Sequence, residues 1–78
     1  MHWVYVIKSR KDGKLYIGST SAVEQRLQYH NSGKVRSTKS RRPFEIVFKE
    51  EHADITSARK RENFLKSGQG RKWLKEVI

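Results

Sequence analysis

Two apolar segments near the start of the chain predict a β-hairpin. Residues 3–7 are apolar in both alternation phases, which is typical of a strand covered on both faces. Residues 15–18 follow a polar stretch that contains Asp12 and Gly13, a pair that favours a two-residue type I′ turn. We therefore expect an antiparallel hairpin whose first strand is central in its sheet.

The turn determines the expected register of the two strands. With a two-residue turn, Ser9 pairs with Tyr16 and Ile7 pairs with Gly18. Tyr5 and Tyr16 then lie on the same face, roughly 13 Å apart along the sheet. We expect the two phenols to flank a site without touching, and Gly18 to leave space for a close approach.

A capping pattern predicts that a helix follows the hairpin. Ser21 and Glu24 form a capping box, Val23 and Leu27 form the apolar stripe, and residues 31–33 supply the stop.

Arg26 and His30 lie four positions apart on this predicted helix, next to its apolar stripe. We expect both side chains at the border between core and solvent. They are either functional residues or ordinary flanking residues, with His30 capping the last turn.

The stretch 33–42 has no hydrophobic period and indicates a solvated loop rich in positive charge. Either the loop contacts phosphates or it is a charged segment without a partner. Its basic residues are Lys34, Arg36, Lys39, Arg41 and Arg42.

A third strand and two further helices complete the pattern. Phe44, Ile46 and Phe48 alternate with polar residues, which predicts a strand with one buried face. Asp54 is a good N-cap for a helix with Gly68 as its C-cap. After residues 68–70, a short closing helix covers the sheet with the apolar residues Trp73, Leu74, Val77 and Ile78.

Glu62 interrupts the apolar face of the predicted second helix, whose members at helical spacing include Ala58 and Leu65. A carboxylate among core-facing residues is costly to desolvate unless a cation or a hydrogen-bond donor meets it. We expect either a salt bridge, with Arg59 or Arg61 as the ordinary partner, or a metal ion.

The length of 78 residues predicts one domain, 1–78, with a modest core. The chain contains no cysteine, which excludes a disulfide framework, a thiolate metal site and a cysteine nucleophile. No apolar run is long enough for a membrane helix, and there is no signal-peptide layout. We expect a cytoplasmic protein that does not associate with membranes.

The charge balance is strongly positive, with 18 Lys and Arg residues against 8 Asp and Glu residues and a net charge of +10. Such a field attracts polyanions, and phosphate contacts that release counterions give salt-sensitive binding. Nucleic acid is the favoured partner. A generically basic protein and a binder of anionic membranes are the alternatives.

Several motifs, in their order along the chain, resemble the GIY-YIG nuclease domain family. Tyr16-Ile17-Gly18 matches the second signature, and Val4-Tyr5-Val6 keeps the central tyrosine of the first. The likeness covers nearly the whole chain, and residues 65–71 are similar to small single-domain bacterial members that resemble the N-terminal domain of the UvrC excinuclease. Further matches are Arg26, His30-Asn31-Ser32-Gly33, Arg42-Pro43-Phe44 and Arg61-Glu62.

The resemblance implies an α+β fold in which a three-stranded antiparallel sheet is flanked by helices, in the order β-β-α-β-α-α. The residues by themselves predict the same order. The resemblance also implies a metal-dependent endonuclease that hydrolyses DNA phosphodiester bonds with one Mg²⁺ or Mn²⁺ ion. A structure-selective role in DNA repair or recombination, on DNA or RNA, would agree with it.

Transferred position by position, the resemblance implies a role for each site residue. Glu62 would hold the metal ion, Tyr16 would orient or deprotonate the attacking water, and Arg26 would neutralise charge on the phosphate. Tyr5 would position the phosphate or the water, and His30 would accept or relay a proton. Such a site requires Arg26 and Glu62 to come to the same face of the sheet.

The segment around Lys66 and Arg71 has two interpretations. It is either a second phosphate contact or a helix terminus with a turn.

Two departures from the family pattern leave a second function open. Larger members typically carry an asparagine late in the domain, and no asparagine follows Asn63 here. They also gain specificity from attached domains. The alternative function is a nucleic-acid-binding adaptor module with weak or no turnover, and a protein partner would supply target specificity in either case.

Overall fold

The first strand lies in the middle of the sheet, as its apolar pattern predicts. The computed structural model describes residues 1–78, and in it β1 (His2–Ser9) pairs antiparallel with both β2 (Leu15–Thr20) and β3 (Phe44–His52). The strand order is β2-β1-β3, so β2 and β3 are the edges. The prediction of a central, doubly covered strand is confirmed.

The hairpin loop is longer than the predicted type I′ turn. The Ser9 backbone N–H donates to the Lys14 carbonyl at 2.9 Å, and the Gly13 N–H donates to the Ser9 carbonyl at 2.9 Å. A type I′ turn needs positive φ at both central residues. Gly13 has a φ of 71°, but Asp12 is not in the positive-φ region. The hairpin loop that the Ser9–Lys14 hydrogen bond encloses therefore spans residues 10–13.

This loop moves the register by two residues. Ile7 faces Tyr16 and Tyr5 faces Gly18, so the predicted pairing of Ser9 with Tyr16 is wrong. Because side chains alternate with a period of two, the shift keeps Tyr5 and Tyr16 on one face. It also makes them diagonal neighbours.

A β-bulge in β3 places the apolar residues of that strand on both faces of the sheet. Val6 pairs with Phe48 and Ile7 pairs with Ile46, so Val47 is an extra residue. Ile46 consequently packs on the side of Ile7, whereas Phe48 packs on the side of Val6. The prediction of a single buried face for this strand is wrong for that reason.

Helices cover both faces of the sheet. On one face, α1 (Val23–Asn31) packs on the tyrosine side of β1, and on the other, α2 (Ile55–Lys66) and α3 (Gly68–Val77) pack together. The predicted order β-β-α-β-α-α is confirmed, with a short 3₁₀ turn (Lys39–Arg41) added before β3. None of these helices has the length and apolar character needed to cross a bilayer.

Each face of the sheet has its own apolar cluster. The α1 side contains Tyr5, Ile7, Val23 and Phe44. The α2–α3 side contains Val4, Val6, Ile17, Ala58, Leu65 and Leu74.

The capping box predicted for α1 is absent. Ala22 is the N-cap and makes no side-chain capping bond, while Glu24 forms an ion pair with Lys49 at 3.4 Å. The predicted end of the helix is confirmed, since Ser32 follows its last residue and Gly33 has a φ of 81°.

The junction between α2 and α3 differs from the predicted turn. Asp54 caps α2 as expected, accepting from the Ser57 N–H at 2.7 Å. Gly68, however, is the first residue of α3, and the Ser67 hydroxyl caps this helix by accepting from the Gly70 N–H at 3.2 Å. The two helices therefore follow each other without a loop.

Candidate active site

The structure brings Tyr5, Tyr16 and His30 into direct contact at the β2 side of the sheet. Ring centroids are 6.4 Å apart for Tyr5 and Tyr16, 6.0 Å for Tyr5 and His30, and 4.8 Å for Tyr16 and His30. The expected separation of 13 Å between the phenols is wrong because the register differs by two residues. The two tyrosines form one aromatic cluster with the histidine.

Gly18 provides the space in which the Tyr5 ring lies. A Cβ atom at position 18 would be 2.6 Å from the Tyr5 hydroxyl oxygen. The close approach predicted at Gly18 is therefore made by the phenol of the paired residue. Any side chain at this position would displace Tyr5 from the site.

Burial and the Arg26 guanidinium act in opposite directions on the pKa of the Tyr5 phenol. The residue is 2% exposed, and this burial raises the pKa of the phenol above its ordinary value. The neighbouring Arg26 guanidinium lowers that pKa, while Tyr16 and the Glu62 carboxylate raise it. Residues from β2, α1 and α2 therefore all act on one hydroxyl group.

His30 is fully buried and does not lie at the border between core and solvent. Its Nε2 lies 3.0 Å from the Tyr5 hydroxyl and its Nδ1 lies 2.8 Å from Thr38 Oγ1. Burial, together with the positive charge of Arg26, lowers the pKa of the imidazole from 6.5 to about 4. The ring is neutral at neutral pH and hydrogen-bonded at both nitrogens.

Glu62 lies at the boundary of the core, with 18% of its side chain exposed, and its partner is Lys66. The Lys66 ammonium donates to Glu62 Oε2 at 2.7 Å across one turn of α2. The predicted partner Arg61 instead donates to Glu50 at 3.1 Å and stacks on Trp73 at 4.7 Å. A lysine on the same helix therefore compensates the Glu62 charge, and Arg61 does not.

Arg26 and Glu62 reach the tyrosines from opposite sides of the sheet. Arg26 is on α1, which packs on the face of Tyr5, whereas Glu62 is on α2, which packs on the other face. The expectation that both would come to one face stays a prediction for the side chains, because both charges act on the Tyr5 hydroxyl although their helices lie on opposite faces.

A cleft of about 700 Å³ lies in front of this cluster and is strongly basic. Tyr16 and Ile17 lie in its wall, and Glu62 adjoins it through Lys66. The cationic residues that line it are Lys14, Arg41, Lys66, Arg71 and Lys75.

Three of these cations were expected from the sequence and two were missed. Arg41, Lys66 and Arg71 are predicted phosphate contacts, and the structure places them together. Lys75 lies four residues after Arg71 on α3, a spacing that could have revealed it. Lys14 directly follows the hairpin loop, and its place in the cleft depends on the strand register that this loop sets.

The other predicted cations of the loop lie elsewhere. Lys34 lines a separate depression on α1, with its ammonium 5.2 Å from the Tyr29 ring centroid. Arg42 and Lys39 pack over Gly33, and Arg36 is exposed. The loop is thus not one phosphate-binding surface in the structure.

A metal ion in this site would find one protein carboxylate. No group of three or more His, Cys, Asp or Glu side chains is arranged to hold a metal ion. A single carboxylate beside a solvated cleft suits a hard cation that keeps most of its water, such as Mg²⁺. The donor set around Glu62 fits that kind of ion and does not fit a fully enclosed one.

Comparison with known proteins identifies the family of the chain. The model of the GIY-YIG catalytic domain matches residues 1–75. UPF0213 proteins of Staphylococcus haemolyticus and Staphylococcus aureus are 39% and 37% identical over 77 residues, which cover 97% of this chain and 93% of each relative. The solution structure of a UPF0213 protein from Bacillus halodurans is similar with a TM-score of 0.59 and 30% identity, covering 97% of this chain and 83% of that one. The chain therefore belongs to the GIY-YIG catalytic domain family, together with the small UPF0213 proteins.

Proposed function

We propose that the protein is a metal-dependent endonuclease that hydrolyses phosphodiester bonds in DNA. The observation that carries this proposal is that Tyr16, Arg26 and Glu62 all act on the Tyr5 hydroxyl, beside a cleft that Tyr16 and five cations line. Membership of a family of catalytic domains supports the same conclusion. Structural packing alone gives no reason to place these groups together.

The cleft is the surface that binds DNA in this proposal. Phosphate contacts dominate the affinity of proteins for nucleic acids and carry no sequence information. Five cations along one cleft, in a chain of net charge +10, suit a polyanionic backbone. A target preference would therefore come from the shape of the DNA or from a protein partner.

The two tyrosines have different roles in this proposal. Tyr16 lies in the wall of the cleft, where its hydroxyl can orient the attacking water and take its proton. Tyr5 is buried, the pKa of its phenol is raised, and its hydroxyl is hydrogen-bonded to His30. It therefore stays protonated and has a supporting role in the site. His30 is neutral and positions Tyr5, because burial and Arg26 disfavour an imidazolium.

Hydrolysis then proceeds with balanced bonds and charges. Tyr16 first releases its own proton to solvent and then takes one from the attacking water as the water oxygen forms a bond to phosphorus. The bond to the leaving sugar oxygen breaks, and that oxygen takes a proton from solvent. Arg26 offsets the charge that develops on the phosphate oxygens.

Glu62 is the residue that would hold the divalent ion. When bound, Mg²⁺ or Mn²⁺ would supply positive charge that stabilises the phosphate in the transition state. The Lys66 ammonium bonds Glu62 Oε2, so an ion would use the other carboxylate oxygen or displace an ammonium whose side chain is 48% exposed.

The test is a nicking assay on branched, flapped and linear DNA with Mg²⁺ or Mn²⁺. We expect Glu62→Gln and Tyr16→Phe to lower the rate at least about a hundredfold while DNA binding stays within a few-fold, because both substitutions keep side-chain shape. Glu51→Gln, the same change at an exposed residue of β3, is the matched control and should cut like wild type. Wild-type activity in Glu62→Gln would contradict the proposal.

A binding module without turnover is the second candidate. The ion pair between Glu62 and Lys66 and the lack of any asparagine after Asn63 favour it. It would be the correct function if the wild-type protein binds DNA in a salt-dependent manner but cuts none of the substrates with either ion.

A further inference from the structure

A three-residue hydrogen-bond chain runs from the site into the loop before β3. Tyr5, His30 and Thr38 are 2%, 0% and 0% exposed, so none of their polar groups relies on bulk water. The Tyr5 hydroxyl lies 3.0 Å from His30 Nε2, and His30 Nδ1 lies 2.8 Å from Thr38 Oγ1. Thr38 Oγ1 lies 3.3 Å from the Val35 carbonyl oxygen. The chain therefore ends at a backbone acceptor.

Counting donors and acceptors determines the direction of this chain. A carbonyl oxygen only accepts, so at the Val35 end the Thr38 hydroxyl must be the donor. Its oxygen then accepts from His30 Nδ1–H, which leaves Nε2 as an acceptor for the Tyr5 O–H. In this direction every proton of the chain has an acceptor.

The opposite direction leaves one buried proton without a partner. If Thr38 donated to Nδ1, Nε2–H would donate to the Tyr5 oxygen. The Tyr5 proton would then need another acceptor, but His30 is the only acceptor within hydrogen-bond distance of the Tyr5 hydroxyl, and the adjacent Arg26 side chain carries only donors. A buried donor without an acceptor costs free energy, so the first direction is favoured.

We propose that Thr38 is a positioning residue that holds His30 in the Nδ1–H tautomer and thereby makes Tyr5 a hydrogen-bond donor to His30. The Tyr5 oxygen then presents only lone pairs to the Arg26 guanidinium. The positioning itself stands on geometry, whereas its effect on catalysis rests on the proposed nuclease function.

The position of Thr38 explains how a loop residue can have this effect. The loop is anchored there, because the Thr38 N–H donates to the Val35 carbonyl and the Thr38 carbonyl accepts from the Arg41 N–H at 3.0 Å. Arg41 in turn lines the cleft. The same residue therefore orients the imidazole and the turn that carries one of the phosphate-binding cations.

Long-range proton–nitrogen NMR of the histidine rings tests the proposal directly, because it distinguishes a protonated ring nitrogen from an unprotonated one. In the wild-type protein at neutral pH, we expect the proton of His30 on Nδ1. An Nε2–H ring in the wild-type protein overturns the proposal. This measurement needs neither substrate nor metal, so it is decisive even if the protein cuts no DNA.

Two substitutions separate the hydroxyl of Thr38 from its volume. Thr38→Val keeps the shape and removes the hydroxyl, and we expect a loss of the Nδ1–H preference. Thr38→Ser restores the hydroxyl, and we expect the wild-type tautomer. If Thr38→Val keeps a pure Nδ1–H ring, Thr38 does not set the tautomer and the proposal fails.

The kinetic consequence is measured on the same variants. We expect Thr38→Val to lower the turnover number for nicking by about tenfold with little change in KM, and Thr38→Ser to stay within a few-fold of wild type. If both variants lose activity equally while Thr38→Ser keeps the wild-type tautomer, the tautomer does not matter for catalysis and that part of the proposal fails. If Thr38→Val does not fold, the wild-type spectrum and Thr38→Ser still decide the tautomer.

Discussion

His30 shows how a single residue depends on its surroundings. The side chain is buried, both ring nitrogens have hydrogen-bond partners, and the pKa falls to about 4 because charging the ring would require desolvation beside Arg26. A histidine of this kind contributes to stability only while it is neutral.

The pH dependence of unfolding should show this contribution. Between pH 6.5 and about 4, the unfolded chain binds a proton at His30 that the folded chain excludes. The contribution is complete above pH 6.5 and is lost as the pH falls to about 4, a change of about 3 kcal/mol from the size of the shift. Denaturant unfolding at several pH values measures it, with wild type compared to His30→Gln.

Comparing wild type with His30→Gln separates the contribution of His30 to stability from the contributions of other groups that titrate at acidic pH. His30→Gln should lose most of the decrease in this pH range. His2→Gln, a substitution at the half-buried first residue of β1, should keep it. Equal slopes for wild type and His30→Gln would contradict the assignment.

The sequence could suggest candidate site residues but not their environment. Tyr5, Tyr16, Arg26, His30 and Glu62 are candidates because residue types and their order are sequence properties. The partner of His30 Nδ1 is Thr38, eight residues away in a loop without periodicity, so helical spacing could not show it. Lys66 could have been predicted as the partner of Glu62, because the two residues form an i,i+4 pair. Arg59 and Arg61 were the partners considered instead.

At the scale of elements, hydrophobic patterning predicted all three strands and the three helices in order. It did not predict the register in which the strands pair, because register depends on loop conformation. The position of the extra residue in β3 is not indicated by the sequence pattern either. The junction between α2 and α3 is a further example. Its glycines suggested a turn, but Gly70 is inside α3 and buried against the end of α2.

The α2–α3 junction gives a stability prediction with a built-in control. A Cβ atom at Gly70 would lie 1.9 Å from the Phe64 carbonyl oxygen, whereas one at Gly68 would meet nothing within 4 Å. We expect Gly70→Ala to cost on the order of 3 kcal/mol, because backbone must move. Gly68→Ala, in the first turn of the same helix, should be neutral or stabilising by up to about 1 kcal/mol. Urea unfolding of both variants compares them, and equal stabilities would refute this packing.

At the scale of the whole molecule, the positive charge is divided among several surfaces. The cleft beside Tyr16 holds five cations, while Lys34 and Arg36 lie away from it. Composition alone could predict a polyanion as partner but could not say which cations act together. The fold makes that selection by placing the hairpin loop, the 3₁₀ turn and α3 around one cleft.

The salt dependence of DNA binding should show which cations act together. Arg71→Ala and Lys75→Ala should each weaken binding to all sequences and reduce the slope of log K against log salt by about one. Lys60→Ala, an exposed lysine of α2 outside the cleft, removes the same charge and should leave the slope unchanged. Fluorescence anisotropy at several salt concentrations measures the slopes, and an equal effect of Lys60→Ala would show that net charge alone determines binding.

The bulge at Val47 has a consequence for how this protein can diverge. In a regular strand, a one-residue change of alignment would turn every following side chain to the other face. Here the extra residue changes the phase of the apolar positions, so that Phe44 and Ile46 pack in the tyrosine layer and Phe48 packs in the α2–α3 layer. Substitutions at Phe44 or Ile46 therefore change the packing beneath the tyrosine cluster, whereas substitutions at Phe48 change the opposite core. One strand of nine residues thus contributes apolar side chains to both cores.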